Sequence, residues 1–254
     1  MASSQLAAQL YTLRDFCKTP TDLAASLRKV KAIGYDAVQV SGVCPIDYGE
    51  LKQIVDDAGV KVCCTHIPYA HMKDEPEKVI EEHHTIECKY PAIGGLPGEY
   101  RSAEGYAKFA REATEVGKRL AEGGLRFGYH NHSFELEKFG DRTGLQILYE
   151  DSDPKYFTAE IDTYWIQHGG GDPAYWIEKC SGRIPLVHLK DMTVRNGKPI
   201  MAEVGEGNLN WPRVLDACKK SGVEWYIVEQ DECERDPFES LAISLRNLRA
   251  MGIA

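Results

Sequence analysis

Four short apolar segments in the second half of the chain each end in residues that can ligate a metal or move a proton. In order they are Tyr129-His130-Asn131-His132 with Glu135 shortly after, Ala159-Glu160-Ile161-Asp162, Val187-His188-Leu189-Lys190-Asp191, and Val228-Glu229-Gln230-Asp231. Side chains at i and i+2 of a strand share a face, so His130 pairs in direction with His132, Glu160 with Asp162, and His188 with Lys190. Carboxylates gathered on one rim repel one another unless a cation neutralises them, and a divalent ion satisfies acids and imidazoles together. Mixed carboxylate and imidazole ligands suit one Mn²⁺, Co²⁺, Zn²⁺, Fe²⁺ or Mg²⁺ ion better than Ca²⁺. The expected ligands are Asp162, His188 and Glu229, with a fourth from Glu135, His130 or His132. Glu135 is preferred because its charge balances the site, although it lies beyond the strand, where alternation no longer fixes direction. A histidine left free of metal, His132 foremost, is then a base with an ordinary pKa near ~6.5.

These residues need a frame that brings four segment ends together. A short apolar run, a polar break with a helix cap, and a segment of helical period recur eight times. The predicted strands are Leu6 to Tyr11, Ala37 to Ser41, Lys61 to His66, Tyr90 to Gly94, Arg126 to His132, Phe157 to Tyr164, Ile184 to Lys190 and Trp225 to Asp231. Asp236-Pro237 and Asp172-Pro173 read as helix starts, as do Asp47 with Glu50 and Asp74 with Glu77; Gly34, Gly59, Gly123 and Gly222 read as helix stops. Leu23, Leu27 and Val30 share one helix face, and Phe109, Ala113, Val116 and Leu120 another. Units of about 30 residues with parallel strands predict an α/β fold, a single-domain (β/α)8 TIM barrel over 1–254, with its site at the C-terminal strand ends. The longest irregular stretch, Met192 to Asn210, is expected on that face. His83 and His84, in a charged helix, are expected in solvent.

Composition narrows the partners. With 30 Lys+Arg against 39 Asp+Glu the net charge is −9, which disfavours nucleic acid. No apolar run approaches the ~20 residues of a membrane helix. Met1-Ala2-Ser3-Ser4-Gln5 shows no basic region followed by an apolar run, so a cytoplasmic location is expected. The eight cysteines contain no CxxC pair and read as reduced core thiols. Neither GxGxxG nor GxxxxGK[ST] occurs, and Gly94-Gly95-Leu96-Pro97-Gly98 has the spacing of a turn, not of a nucleotide loop.

In order along the chain, Gln9-Leu10-Tyr11-Thr12-Leu13-Arg14, Tyr129-His130-Asn131-His132, Ile161-Asp162-Thr163-Tyr164-Trp165, Val187-His188-Leu189-Lys190-Asp191, Val204-Gly205-Glu206-Gly207 and Val228-Glu229-Gln230-Asp231 resemble the xylose-isomerase-like sugar (phosphate) isomerase/epimerase superfamily. The resemblance implies a metal held by Glu, Asp, His and Glu from the last four strands, with two glutamates acting as acid and base. Asp162, His188 and Glu229 match. The fifth strand departs, with His130 at the glutamate position, which looks closer to the inosose dehydratase and keto-sugar lyase branch.

The expected function is therefore metal-dependent sugar isomerisation or epimerisation by proton transfer next to a carbonyl, through a metal-stabilised enediolate. The alternative is a dehydratase or keto-glycoside lyase acting on a keto-sugar or keto-inositol. Glu229, His132 or His130 serves as base, and Lys190 polarises a carbonyl, stabilises an enolate or pairs with an acid such as Glu160. His66, Tyr11, Arg14, Trp165 and Glu206 are expected to bind a small sugar or polyol-derived substrate. Homo-oligomerisation is left open. Less favoured are an abasic-site endonuclease-like nuclease, which relies on several zinc ions and a basic surface, and a non-catalytic sugar-binding protein.

Overall fold

Strands buried on both faces read as continuous apolar runs, and the sequence supplies eight of them. In the computed structural model, which describes residues 5–253, they are β1 Leu6–Gln9, β2 Ala37–Val40, β3 Lys61–His66, β4 Pro91–Ile93, β5 Phe127–His130, β6 Phe157–Asp162, β7 Leu186–Leu189 and β8 Trp225–Val228. Each pairs in parallel with its sequence neighbours, and β1 closes on β8 through Leu6 opposite Tyr226. The expected (β/α)8 barrel is thus formed, with helices between the strands. The strands stop earlier than the apolar runs suggest. Tyr11, for example, falls in a 3₁₀ segment, Leu10–Phe16, and Tyr164 in the helix Thr163–His168.

Register decides what meets at the mouth. His130 lies opposite Glu160 and Asp162 opposite His188. Ile227 pairs with His188, and the Glu229 amide bonds the Leu189 carbonyl just past the last pair.

Helix punctuation matches the sequence in most places. Asp47, Asp172 and Asp236 accept backbone amides at helix starts, and Gly34, Gly59 and Gly222 end helices in the left-handed conformation. At the end of Ala103–Glu122 the left-handed residue is Gly124 rather than Gly123. Asp74 ends the short helix Tyr69–Asp74; the next helix opens at Pro76 without a side-chain cap. The two predicted helix stripes are buried, and Phe109 packs edge-on against Phe157, which in turn packs against Phe127. Among the described residues all eight cysteines are free, six of them buried.

Two expectations change. The stretch after β7 is ordered as an antiparallel hairpin, Asp191–Arg195 with Lys198–Ala202. It is anchored by the buried Asp191 carboxylate, which accepts from the amides of Met192, Gly205, Gly207 and Leu209 and from Trp211 Nε1. His83 is fully buried, whereas His84 is exposed and bonds the Gly123 carbonyl. The His83 Nδ1–H donates to the Val79 carbonyl at 2.8 Å and Nε2 accepts from the Thr65 hydroxyl at 2.8 Å, a neutral ring satisfied on both sides. The expectation on the first residues lies outside the described residues, and no described helix is long and apolar enough to cross a membrane.

Burial lowers His83 to about 4. As pH falls below ~6.5 the unfolded chain takes up a proton that the folded ring refuses until about 4, so stability drops across this window. Urea unfolding should show the stability advantage of the parent over His83→Gln narrowing by about 2 kcal/mol from pH 7 to pH 5. A gap independent of pH would contradict the neutral buried ring.

Candidate active site

At the C-terminal mouth, ligand atoms of His130, Asp162, His188 and Glu229 lie within 4.8 Å of one another, all on buried residues. The atoms that face inward are set by bonds on the far side of each ring. Nδ1–H of His130 donates to the Gly94 carbonyl at 3.3 Å, which turns Nε2 toward Asp162 Oδ2 at 3.2 Å. His188 places Nε2 at 2.6 Å from Gln39 Oε1 and 3.1 Å from Glu160 Oε1, leaving Nδ1 at 2.9 Å from Glu229 Oε2. Two imidazoles so oriented, with two carboxylates, form a donor set suited to a divalent transition ion.

Below this cluster Glu160 is fully buried. It accepts from Gln39 Nε2 at 2.8 Å and lies 2.7 Å from His66 Nε2; Gln9 in turn donates to Gln39. Burial alone would raise the Glu160 pKa, but His188 and His66 hold it well below the carboxylate range. Burial opposes protonation of His188, and the carboxylates of Glu160 and Glu229 outweigh it, raising the imidazole to about 10.

Lys190 is the second buried cation. Its Nζ lies 3.0 Å from Asp162 Oδ2, 2.6 Å from Glu229 Oε2 and 2.7 Å from Asp231 Oδ2. Against the cost of burial, Lys190 is the strongest influence keeping Asp162 and Glu229 ionised. Its carboxylate partners are these three, not Glu160 as the sequence suggested.

Above the cluster opens a cavity of about 410 Å³. Tyr11, His66, His130, His132, Trp165 and Glu229 line it, joined by Ser41, Gly94, Met201, Asp231 and Glu232. Glu229 Oε2 takes the contacts to Lys190 and His188, and the residue lines the cavity. Arg14 stands over the Tyr11 ring at 4.5 Å, in a neighbouring cavity.

Three expectations shift. Glu135 lies apart from the cluster, where one oxygen accepts from the Tyr129 hydroxyl at 2.6 Å and the other from the His132 amide at 2.9 Å; burial raises it to about 7. The 3₁₀ turn Phe134–Leu136 folds it back against its own strand. Glu206 accepts from Asn247 and does not line the cavity. Burial lowers His132 to about 3 rather than leaving it ordinary, and its Nδ1 has no partner among the described residues.

The sequence reading missed Gln9, Gln39 and the Gly94-Gly95 pair. The signal for the glutamines was a polar residue within an apolar strand, the last of β1 and the third of four in β2. A Cβ at Gly94 would stand 3.0 Å from His66 Nδ1, and one at Gly95 3.2 Å from His132 Cε1, so the turn is glycine to let both rings approach the backbone.

Comparison with known proteins agrees with this architecture. Over 150 residues the chain is 28% identical to an inosose dehydratase of Geobacillus thermodenitrificans, covering 50% of this chain and 48% of that protein. The chain thus spans about half the length of the curated relatives it matches. A sugar phosphate isomerase/epimerase from Parabacteroides distasonis shares the fold at TM-score 0.81, with 23% identity over 98% of this chain and 95% of that one. The probable 3-DHS dehydratase AsbF of Bacillus anthracis does so at 0.72, with 12% identity over 96% and 98%. Residues 27–251 match the profile of the xylose isomerase-like TIM barrel, and the chain belongs to that family.

Proposed function

We propose that this barrel is a divalent-metal-dependent enzyme that moves a proton at the carbon beside a carbonyl in a small polyhydroxylated compound, as sugar isomerases and epimerases do. The observation that carries the reading is the His130, Asp162, His188 and Glu229 cluster at the floor of a cavity walled by Tyr11 and Trp165. His130 takes the fourth ligand place in preference to Glu135. A divalent ion held there supplies Lewis-acid polarisation of a carbonyl, which acidifies the neighbouring C–H.

The chain's own groups do the rest. Glu229 lines the cavity as the carboxylate base, while Lys190 keeps that carboxylate ionised. His66 and His132 present rings to substrate hydroxyls, each disfavoured from carrying charge by burial. The aromatic rings of Tyr11 and Trp165 suit the apolar face of a sugar.

A second reading, elimination of a β-oxygen after the same proton abstraction, is favoured by a specific feature. With a histidine at the fifth-strand position, Asp162 and Glu229 are the only carboxylates of the ligand group, and Asp162 is committed to a helix cap and to Lys190. The inosose dehydratases among the relatives support this outcome.

Elemental analysis of the purified protein should find about one divalent ion per chain. His130→Ala and Asp162→Asn should each lose it, the latter keeping the helix cap, while Glu135→Gln should retain it. Metal loss confined to Glu135→Gln would return the fourth ligand to Glu135.

Proton NMR in D₂O should show exchange at the carbon beside the carbonyl of ketoses or keto-inositols. Glu229→Gln should lower the rate by about 10²–10⁴-fold. An epimeric ketone indicates epimerase chemistry, an aldose indicates isomerase chemistry, and an unsaturated product indicates elimination. No exchange with any ketone would sink the reading.

A further inference from the structure

The charges around the cavity specify what can enter it. Glu229, Asp231 and Glu232 line it, and Asp162 and Glu160 lie just beneath; no Lys or Arg is among the lining residues. Lys190, the lysine of the cluster, is already shared among three carboxylates. Five carboxylates outnumber the charges of Lys190, His188 and a divalent ion together, so the pocket stays net negative.

The nearby arginines do not line this cavity; Arg14 and Arg235 line its neighbour. Arg14 donates to the Tyr11 carbonyl, Arg101 donates to the Leu96 carbonyl and stacks on Phe134, and Arg235 lies 3.0 Å from Glu203.

A second, independent feature points the same way. Barrels that bind phosphorylated ligands frequently do so with backbone amides of the loops after strands seven and eight. Here the amides after β7 already surround an anion, since Gly205 and Gly207 donate to Asp191 Oδ2 at 2.9 and 3.1 Å, and Leu209 to Oδ1 at 3.2 Å. Such an amide nest suits a phosphate, but this one is filled by the protein's own carboxylate. After β8 the helix Pro237–Ala250 opens with a proline, which has no N–H, and its next two amides are bonded to Asp236.

We propose that the substrate is uncharged, a polyhydroxylated carbonyl compound carrying neither phosphate nor carboxylate, because the place for an external anion is occupied by Asp191 and the pocket itself is lined by acids. This rests on the reading of the pocket as a carbonyl-compound site.

The test uses matched probes on the metal-loaded protein: a ketohexose against its 6-phosphate ester, a ketopentose against its 5-phosphate ester, and a keto-inositol against a carboxylated cyclic ketone. Exchange in D₂O should run on the order of 100-fold faster with the neutral member of a pair, as expected for an anion set among carboxylates. Faster exchange with a phosphate ester or keto acid would overturn the inference. Calorimetric titration with inorganic phosphate decides separately, without turnover. A dissociation constant weaker than about 1 mM supports the inference, and tighter binding overturns it. If no ketone exchanges, the proposed reaction fails, and the titration still decides the charge of the ligand.

Discussion

A lysine ammonium buried among three carboxylates is the interaction on which the mouth of this barrel depends. Lys190 comes from the end of β7, Asp162 from β6, and Glu229 and Asp231 from beyond β8, so one cation ties three consecutive strands at the rim. Its desolvation is costly and is offset only because all three partners lie within 3.0 Å. Breaking such a buried pair typically costs about 3–5 kcal/mol. The same arrangement keeps Asp162 and Glu229 ionised, the state in which they can ligate a metal or take a proton. Stability and chemistry therefore draw on the same charges.

Asp162 shows how few atoms connect fold to site. Its Oδ1 accepts from the Trp165 amide and caps the helix Thr163–His168, while Oδ2 faces Lys190 and His130. Its own amide donates to Asn131 Oδ1 from the end of β5. Thr163 then continues the β6–β7 ladder with its side chain, since its hydroxyl donates to the Lys190 carbonyl at 2.8 Å and accepts from the Lys190 amide at 3.0 Å. Trp165 is thereby held in the cavity wall by a residue of the buried His/Asp/Glu cluster.

What the sequence made legible was whatever follows a fixed period. Eight apolar runs with caps between them specify the barrel, and alternation within β6 and β7 correctly grouped Glu160 with Asp162 and His188 with Lys190. Legibility ended where the period ended. Glu135 lies three residues beyond His132, and a single 3₁₀ turn sends its carboxylate to Tyr129 instead of the cluster. His83 was misread because its helix is mostly charged, yet its ring lies on the buried side, against Val79 and Thr65. Asp191 ends the same strand-end run as His188, but its role depends on glycine amides 14 and 16 residues later, a closure that no local pattern records.

The hairpin after β7 joins these points. Asp191 begins it and Met201, on its return strand, reaches the cavity wall, so the segment that consumes the loop amides also shapes the pocket. A Cβ at Gly207 would collide with the Asp191 carboxylate, so the nest closes this tightly only around glycine. The buried carboxylate is thus a structural anchor, filling with a covalently attached anion an amide nest of the kind that suits a phosphate. The loop is ordered before any ligand arrives, and ligand binding need not supply that ordering free energy. On the proposed reading the pocket rejects anions by charge and distinguishes among neutral ligands by hydroxyl geometry and by the cluster beneath it.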